Sequence, residues 1–352
     1  MNRRSLLVAS ALATPAILGG ARFASAQKPV VQGSGTSFLR NFYMKWGQEA
    51  AKETDFETNF EAASSDLGVS RATQRTVDFG ACETPLSPAR LRERALVQFP
   101  SCFGAMMVAA TVPGVERDRL RLTPDVLADI FLGKIAKWND ARIVEHNRDL
   151  RLPDLAIVPI YRTDPAGTNY VFTVYMSRVS EAWAAGPRAG TVVQWPSGGK
   201  NAAGIAGVAK AIKETPGAIG VSNIFTARAS ELTTVQLRNQ AGNFVKPDTA
   251  SFAAAAAAAE WTPQNTADAI DTAAPGAWPI VSPTFILLPS NPVAEKVQAT
   301  LGAMKLFDWA YRKGADTARE MGYTPLPEAA QASIRKSWDA VRGPDGKPIW
   351  EA

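Results

Sequence analysis

The sequence predicts a two-lobed α/β protein, each lobe a mostly parallel sheet flanked by helices. Two observations lead there. Short apolar runs alternate with amphipathic stretches along nearly the whole chain, the pattern of strand–helix alternation. Two unusually long apolar runs, near residues 105 and 283, divide the chain into thirds and suit strands that pass between lobes. The ends would then build one lobe, residues 27–106 plus 284–352, and the middle, residues 107–283, the other, with a cleft between them.

Residues 1–26 read as an export signal. Arg3-Arg4 precede the apolar stretch Leu6–Gly19, and Ala24-Ser25-Ala26 offers an A-x-A cleavage site before Gln27. The apolar stretch is too short to favour a permanent membrane span. The paired arginines fit the twin-arginine route, and the general secretory route fits as well. Without that segment Lys+Arg falls from 38 to 35 against 33 Asp+Glu, so the expected exported form is nearly neutral. Its scattered basic residues carry no nucleic-acid footprint.

Element by element, Val30–Gln32 leads through Gly33-Ser-Gly-Thr-Ser37 into a helix carrying Phe38, Leu39, Phe42, Tyr43 and Trp46. Strands are expected at Val77–Cys82 and at Phe99–Thr111, the latter broken by Gly104. Thr123-Pro124-Asp125 opens a helix that Gly133 ends. Ala156–Tyr161 is a buried strand followed by a helix over Asn169–Val179. Ile205–Lys213 is a helix, Ala218–Val221 a strand, and the seven alanines Ala253–Ala259 a packed helix. A long strand-like run, Trp278–Leu288, precedes helices over Pro292–Arg312 and Leu326–Val341.

Common hydrolytic chemistry is poorly supplied. His146 is the single histidine and sits in a polar loop, and no G-x-S-x-G elbow presents a serine. A metal site built on histidine or cysteine lacks ligands, and no cofactor is expected. Cys82 and Cys102 are the two cysteines, on strands that could neighbour one another. Outside the cytoplasm they fit a disulfide, and they fit equally two small buried side chains.

The chemistry lies at three helix starts rich in glycine and hydroxyl residues. Ser34–Ser37 opens the first helix, Ser64-Ser65-Asp66 the second, and Gly167-Thr168 a third, with Thr168 as the expected N-cap. Helix N-termini offer free N–H groups and a positive dipole end to anions. Arg162 adds a planar, permanently charged fork beside the third, unless Asp164 merely neutralises it. There is no G-x-x-x-x-G-K-[ST] loop, so a nucleotide P-loop is not supported.

These residues also carry a resemblance. GSGTSF at 33–38, TVDFGACETPLS at 76–87, LADIFLGKIAKWND at 127–140, LPDLAIVPIYRTDPAGT at 152–168, TPGAIG at 215–220, WPIVSPTFIL at 278–287 and FDWAYRKGA at 307–315 are similar to the periplasmic phosphate-binding proteins of ABC importers. The resemblance implies a type II periplasmic binding protein fold with its ligand cleft at the hinge. It implies a receptor, not an enzyme, that holds inorganic phosphate and hands it to transmembrane permease subunits, and a monomer is expected. By position it implies that Ser37, Phe38, Ser65 and Glu83 hold phosphate from one lobe. Arg162, Gly167 and Thr168 would hold it from the other, with Asp164 orienting Arg162. Two positions depart from the family pattern. Glu83 stands where an aspartate is usual, and Ala166 where a serine is usual. Asp66, too, brings a negative charge near the site. The alternatives these departures leave open are arsenate, a phosphonate or a phosphate ester, with a secreted phosphatase a distant third.

Overall fold

The computed structural model describes residues 28–351, so the expected export signal and its route lie outside the described residues. One curled eight-stranded sheet runs through the molecule. Its strands are β1 (Val30–Thr36), β2 (Glu57–Ala63), β3 (Phe79–Cys82), β4 (Leu96–Ala110), β5 (Val158–Arg162), β6 (Lys200–Ala202), β7 (Ala218–Asn223) and β8 (Val281–Pro289), in the spatial order β2-β1-β3-β8-β4-β7-β5-β6. The outer pairs, β1 with β2 and β3, and β5 with β6 and β7, are parallel. The central pairs β3–β8, β8–β4 and β4–β7 are antiparallel.

β4 and β8 are the two long apolar runs. β4 pairs with β8 over Leu96–Ala105 and with β7 over Met106–Ala110, so one continuous strand passes from one half of the sheet to the other. Both strands are buried along nearly their whole length, which explains apolar runs without alternation. Gly104 does not break β4, contrary to expectation. A Cβ there would lie 2.3 Å from the Phe38 ring, so the glycine makes room for an aromatic side chain inside an unbroken strand.

Each half has its own aromatic cluster within one continuous core. Phe42, Tyr43, Phe60, Phe79 and Phe307 meet in the first half at centroid separations between 5.1 and 6.3 Å. Phe131, Tyr161, Phe172, Trp183 and Trp195 do so in the second. Trp46, Trp138 and Trp309 are buried as well. The alanine run is the Thr249–Ala257 helix, started by a capping box between Asp248 and Ser251 and burying Phe252, Ala255 and Ala256. The helix expected over Leu326–Val341 begins at Glu328 and tightens into a 3-10 turn at Trp338–Ala340, and Pro292–Arg312 is helical only from Ala294.

The cysteines are not bridged. β8 lies between the strands that carry them, with Cys82 opposite Phe285 and Cys102 opposite Thr284. Two strand spacings of about 4.8 Å set the backbones about 10 Å apart, beyond the reach of a disulfide. Of the two readings, two small buried side chains is the one the fold has. Burial pushes the Cys82 thiol far up and that of Cys102 up to about 12, so both stay protonated.

Candidate functional site

The parallel strands of both halves end at one cleft, and the helix starts follow directly from them. β1 runs into a 3-10 turn at Ser37–Leu39, and Thr36 caps it by accepting from the Phe38 N–H at 3.2 Å. β2 runs into the Ser65–Thr73 helix, capped by Ser64, whose hydroxyl accepts from the Leu67 N–H. β5 ends at Arg162 and leads to the Gly167–Val179 helix. Thr168 is not its N-cap. Ala166 takes that position in extended conformation with no side-chain cap, and Thr168 sits in the first turn with its hydroxyl turned to Arg162.

Arg162 is the centre of this wall and only 8% exposed. Its Nη1 donates to Thr168 Oγ1 at 3.0 Å and its Nη2 to Ser37 Oγ, across the cleft, at 3.4 Å. Nε and Nη2 grip Asp164 at 3.0 and 2.6 Å. Burial alone would raise the Asp164 carboxyl. Hydrogen bonds from Arg162 and from the Gly204 N–H outweigh it and hold that carboxyl below the usual range. Asp164 therefore fixes the guanidinium while leaving Nη1 and Nη2 facing the cleft.

The facing wall brings Ser65 and Glu83. Ser65 Oγ donates to Glu83 Oε2 at 2.6 Å, and the other oxygen, Oε1, is buried without a partner. Glu83 is 1% exposed. Burial raises its carboxyl, and bonds from Ser65 and Thr36 with the charge of Arg162 oppose that rise only in part. Gly167 comes from the other side of the cleft and touches this pair. A Cβ on Gly167 would lie 1.7 Å from Glu83 Oε2 and 2.4 Å from Ser65 Oγ. The residues singled out from sequence, Ser37, Phe38, Ser65, Glu83, Arg162, Asp164, Gly167 and Thr168, thus share one place in the fold.

Others around them went unpredicted. Asn169 donates to the carbonyls of Arg162, Asp164 and Thr191, each at 3.1 Å, and knots the strand–helix turn. Trp195 stacks on Tyr161 at 4.9 Å and donates to the Arg162 carbonyl at 2.9 Å. Asn169 follows the motif directly and was open to recognition, whereas Trp195 carries no local signal. Asp66 is exposed and accepts from Thr191 Oγ1 across the cleft at 3.0 Å. His146 is half-buried, its ring 5.5 Å from that of Phe244, and is far from this cluster in the contacts it makes.

A cleft between two α/β halves, crossed by a long strand and lined by an arginine, hydroxyls and helix starts, defines a two-lobed solute receptor with the type II periplasmic binding fold. The sequence profile described as the PBP superfamily domain matches residues 22–313. The chain is 36% identical over 356 residues to the phosphate-binding protein PstS of Pasteurella multocida, covering 100% of each. To the PstS of Haemophilus influenzae it is 36% identical over 323 residues, covering 91% of this chain and 95% of the relative. Among solved structures, PfluDING, a high-affinity periplasmic phosphate-binding protein bound with phosphate at pH 8.5, superposes with a TM-score of 0.68 at 18% identity, over 88% of this chain and 93% of that one. The chain belongs to the PstS family of phosphate-binding proteins.

Proposed function

We propose that this chain captures inorganic phosphate in the periplasm and delivers it to the transmembrane permease subunits of an ABC importer. The observation that carries the reading is the meeting of Ser37, Ser65 and Glu83 with Arg162, Gly167 and Thr168 across one cleft. The relatives named above are binding proteins for phosphate, which supports the same ligand here. In this reading Arg162 supplies the fixed positive charge, and the start of the Gly167–Val179 helix supplies N–H groups and its dipole. Ser37, Ser65 and Thr168 contribute hydroxyls, and Phe38 its backbone N–H once that leaves Thr36 Oγ1. Glu83 faces an oxygen of the anion, accepting a hydrogen bond from a protonated one and repelling sulfate, which has no proton to offer.

The lobes in this reading are 27–106 plus 284–352 and 107–283. The switch of β4 from β8 to β7 between Ala105 and Met106 supports that division. No helix among the described residues is long and apolar enough to cross a membrane, and an exported, monomeric receptor that closes by hinge motion fits the cleft. Calorimetry on phosphate-stripped protein tests the proposal. Phosphate binding in the micromolar range or tighter, undisturbed by excess sulfate, is expected. Absence of heat with phosphate would overturn it, and a thermal-shift panel including arsenate ranks the oxyanions.

A further inference from the structure

Beside the anion site lies a cavity of about 420 Å³ with Glu83 in its lining. One wall is the Gly167–Val179 helix, which presents Tyr170, Val174 and Arg178 to it. Counted from Gly167 these residues fall at steps of three, four and four, one face of a helix, so the face that meets Glu83 at its first turn continues along the cavity. The opposite wall is the hairpin in which Glu260–Trp261 pairs antiparallel with Ala267–Asp268. Glu83 thus borders both spaces, with its Oε1 buried and unpartnered.

The lining has a definite charge. Glu83, Glu260 and Asp268 face a single cation, Arg178, and that cation is already held by Asp268 and by the Ile270 carbonyl at 2.5 Å. Glu260 is exposed on the wall next to Trp261, whose ring packs edge-on to Phe103 at 5.9 Å. An acid sharing one cavity lining with the aromatic residues Trp261 and Tyr170 can receive an ammonium group.

We propose that the anion site extends into this cavity, so that the protein also takes a phosphate monoester or phosphonate whose short tail ends in an ammonium group. The phosphoryl head would sit where inorganic phosphate sits, so the inference rests on that reading of the site. The tail passes Glu83 and lies along Tyr170 and Trp261 with its charge at Glu260. Glu83 accepts a hydrogen bond from a protonated oxygen of the head group, as in the phosphate reading.

Calorimetry on the stripped full chain with inorganic phosphate, phosphoethanolamine, 2-aminoethylphosphonate and ethylphosphonate tests this. Both amine-tailed ligands are expected to bind, at least about fivefold more tightly than ethylphosphonate. Glu260→Gln is expected to remove that advantage and leave phosphate affinity within about twofold. Trp261→Ala is expected to act in the same direction. Protein that binds phosphate but neither amine-tailed ligand overturns the extension and leaves the phosphate reading intact. Binding of the amine-tailed ligands without phosphate does the reverse, and no binding by any probe overturns both. Equal affinity for ethylphosphonate and its amine counterpart, or equal loss of phosphate and amine ligands in Glu260→Gln, also overturns the ammonium assignment.

Discussion

On one wall of the cleft Ser37, Ser65 and Glu83 offer hydroxyls and a buried acid, whereas the facing wall brings Arg162, Thr168 and the bare backbone of Gly167. The second wall is built for charge. Its guanidinium is clamped by Asp164, which is in turn fixed by the Gly204 N–H at 2.7 Å, so its geometry is set before any anion arrives. The first wall contains Glu83, whose carboxyl in the proposed reading discriminates among anions. In the proposed reading attraction and discrimination fall to opposite sides, and affinity requires the sides to meet.

Removing Arg162 should damage that arrangement most. Arg162→Ala deletes two charge-assisted contacts toward the cleft and leaves Asp164 unpaired, and a loss of ~3 kcal/mol or more, about a hundredfold in Kd, is expected by calorimetry. Unchanged affinity would place the attraction elsewhere. Gly167→Ala comes next, because the added methyl overlaps the Glu83 carboxyl and holds the walls apart. About ten- to a hundredfold weaker binding is expected. Pairing it with Glu83→Asp, which withdraws the carboxyl by one methylene, should recover part of the loss, and no recovery would break the account of how the walls touch.

Glu83 sharpens the comparison through pH. Its raised carboxyl favours the folded state when protonated, a contribution fully present below the ordinary value of 4.5 and lost as pH rises through the raised one. Thermal melts of ligand-free wild type and Glu83→Gln should therefore agree best in acid. As pH rises above 4.5 the variant should gain in Tm over wild type. A gap that narrows with rising pH would mean the carboxyl is stabilised as an anion. The smallest effect is expected at the rim. Thr191→Val removes the neutral partner of Asp66 and should weaken binding by only about three- to fivefold, seen as faster release.

What the sequence disclosed follows the range of the interactions. Glycine and hydroxyl residues at helix starts, Arg162 and the two long apolar runs are local signals; the structure brings the helix starts and Arg162 together and makes the runs the central strands β4 and β8. The misjudged details depend on partners distant in the chain. Gly104 reads as a break until Phe38 is seen to occupy its missing side chain, and Thr168 reads as a cap until Arg162 claims its hydroxyl. Cys82 and Cys102 sit on strands that invite pairing, and only the sheet order reveals β8 between them. Trp195, 33 residues beyond the arginine whose carbonyl it holds, announces itself in no local pattern.

That position of β8 also governs how the molecule is assembled. The first half of the sheet has its central seat filled by residues 281–289, pairing with residues as early as Gly80. Until the chain is nearly complete, β3 and β4 face each other across an empty place, each with the edge that β8 covers left open. The amino-terminal part of the cleft consequently cannot mature on its own during synthesis. Its closure waits on a contact spanning some two hundred residues, which makes folding slow and keeps the chain pliable until late.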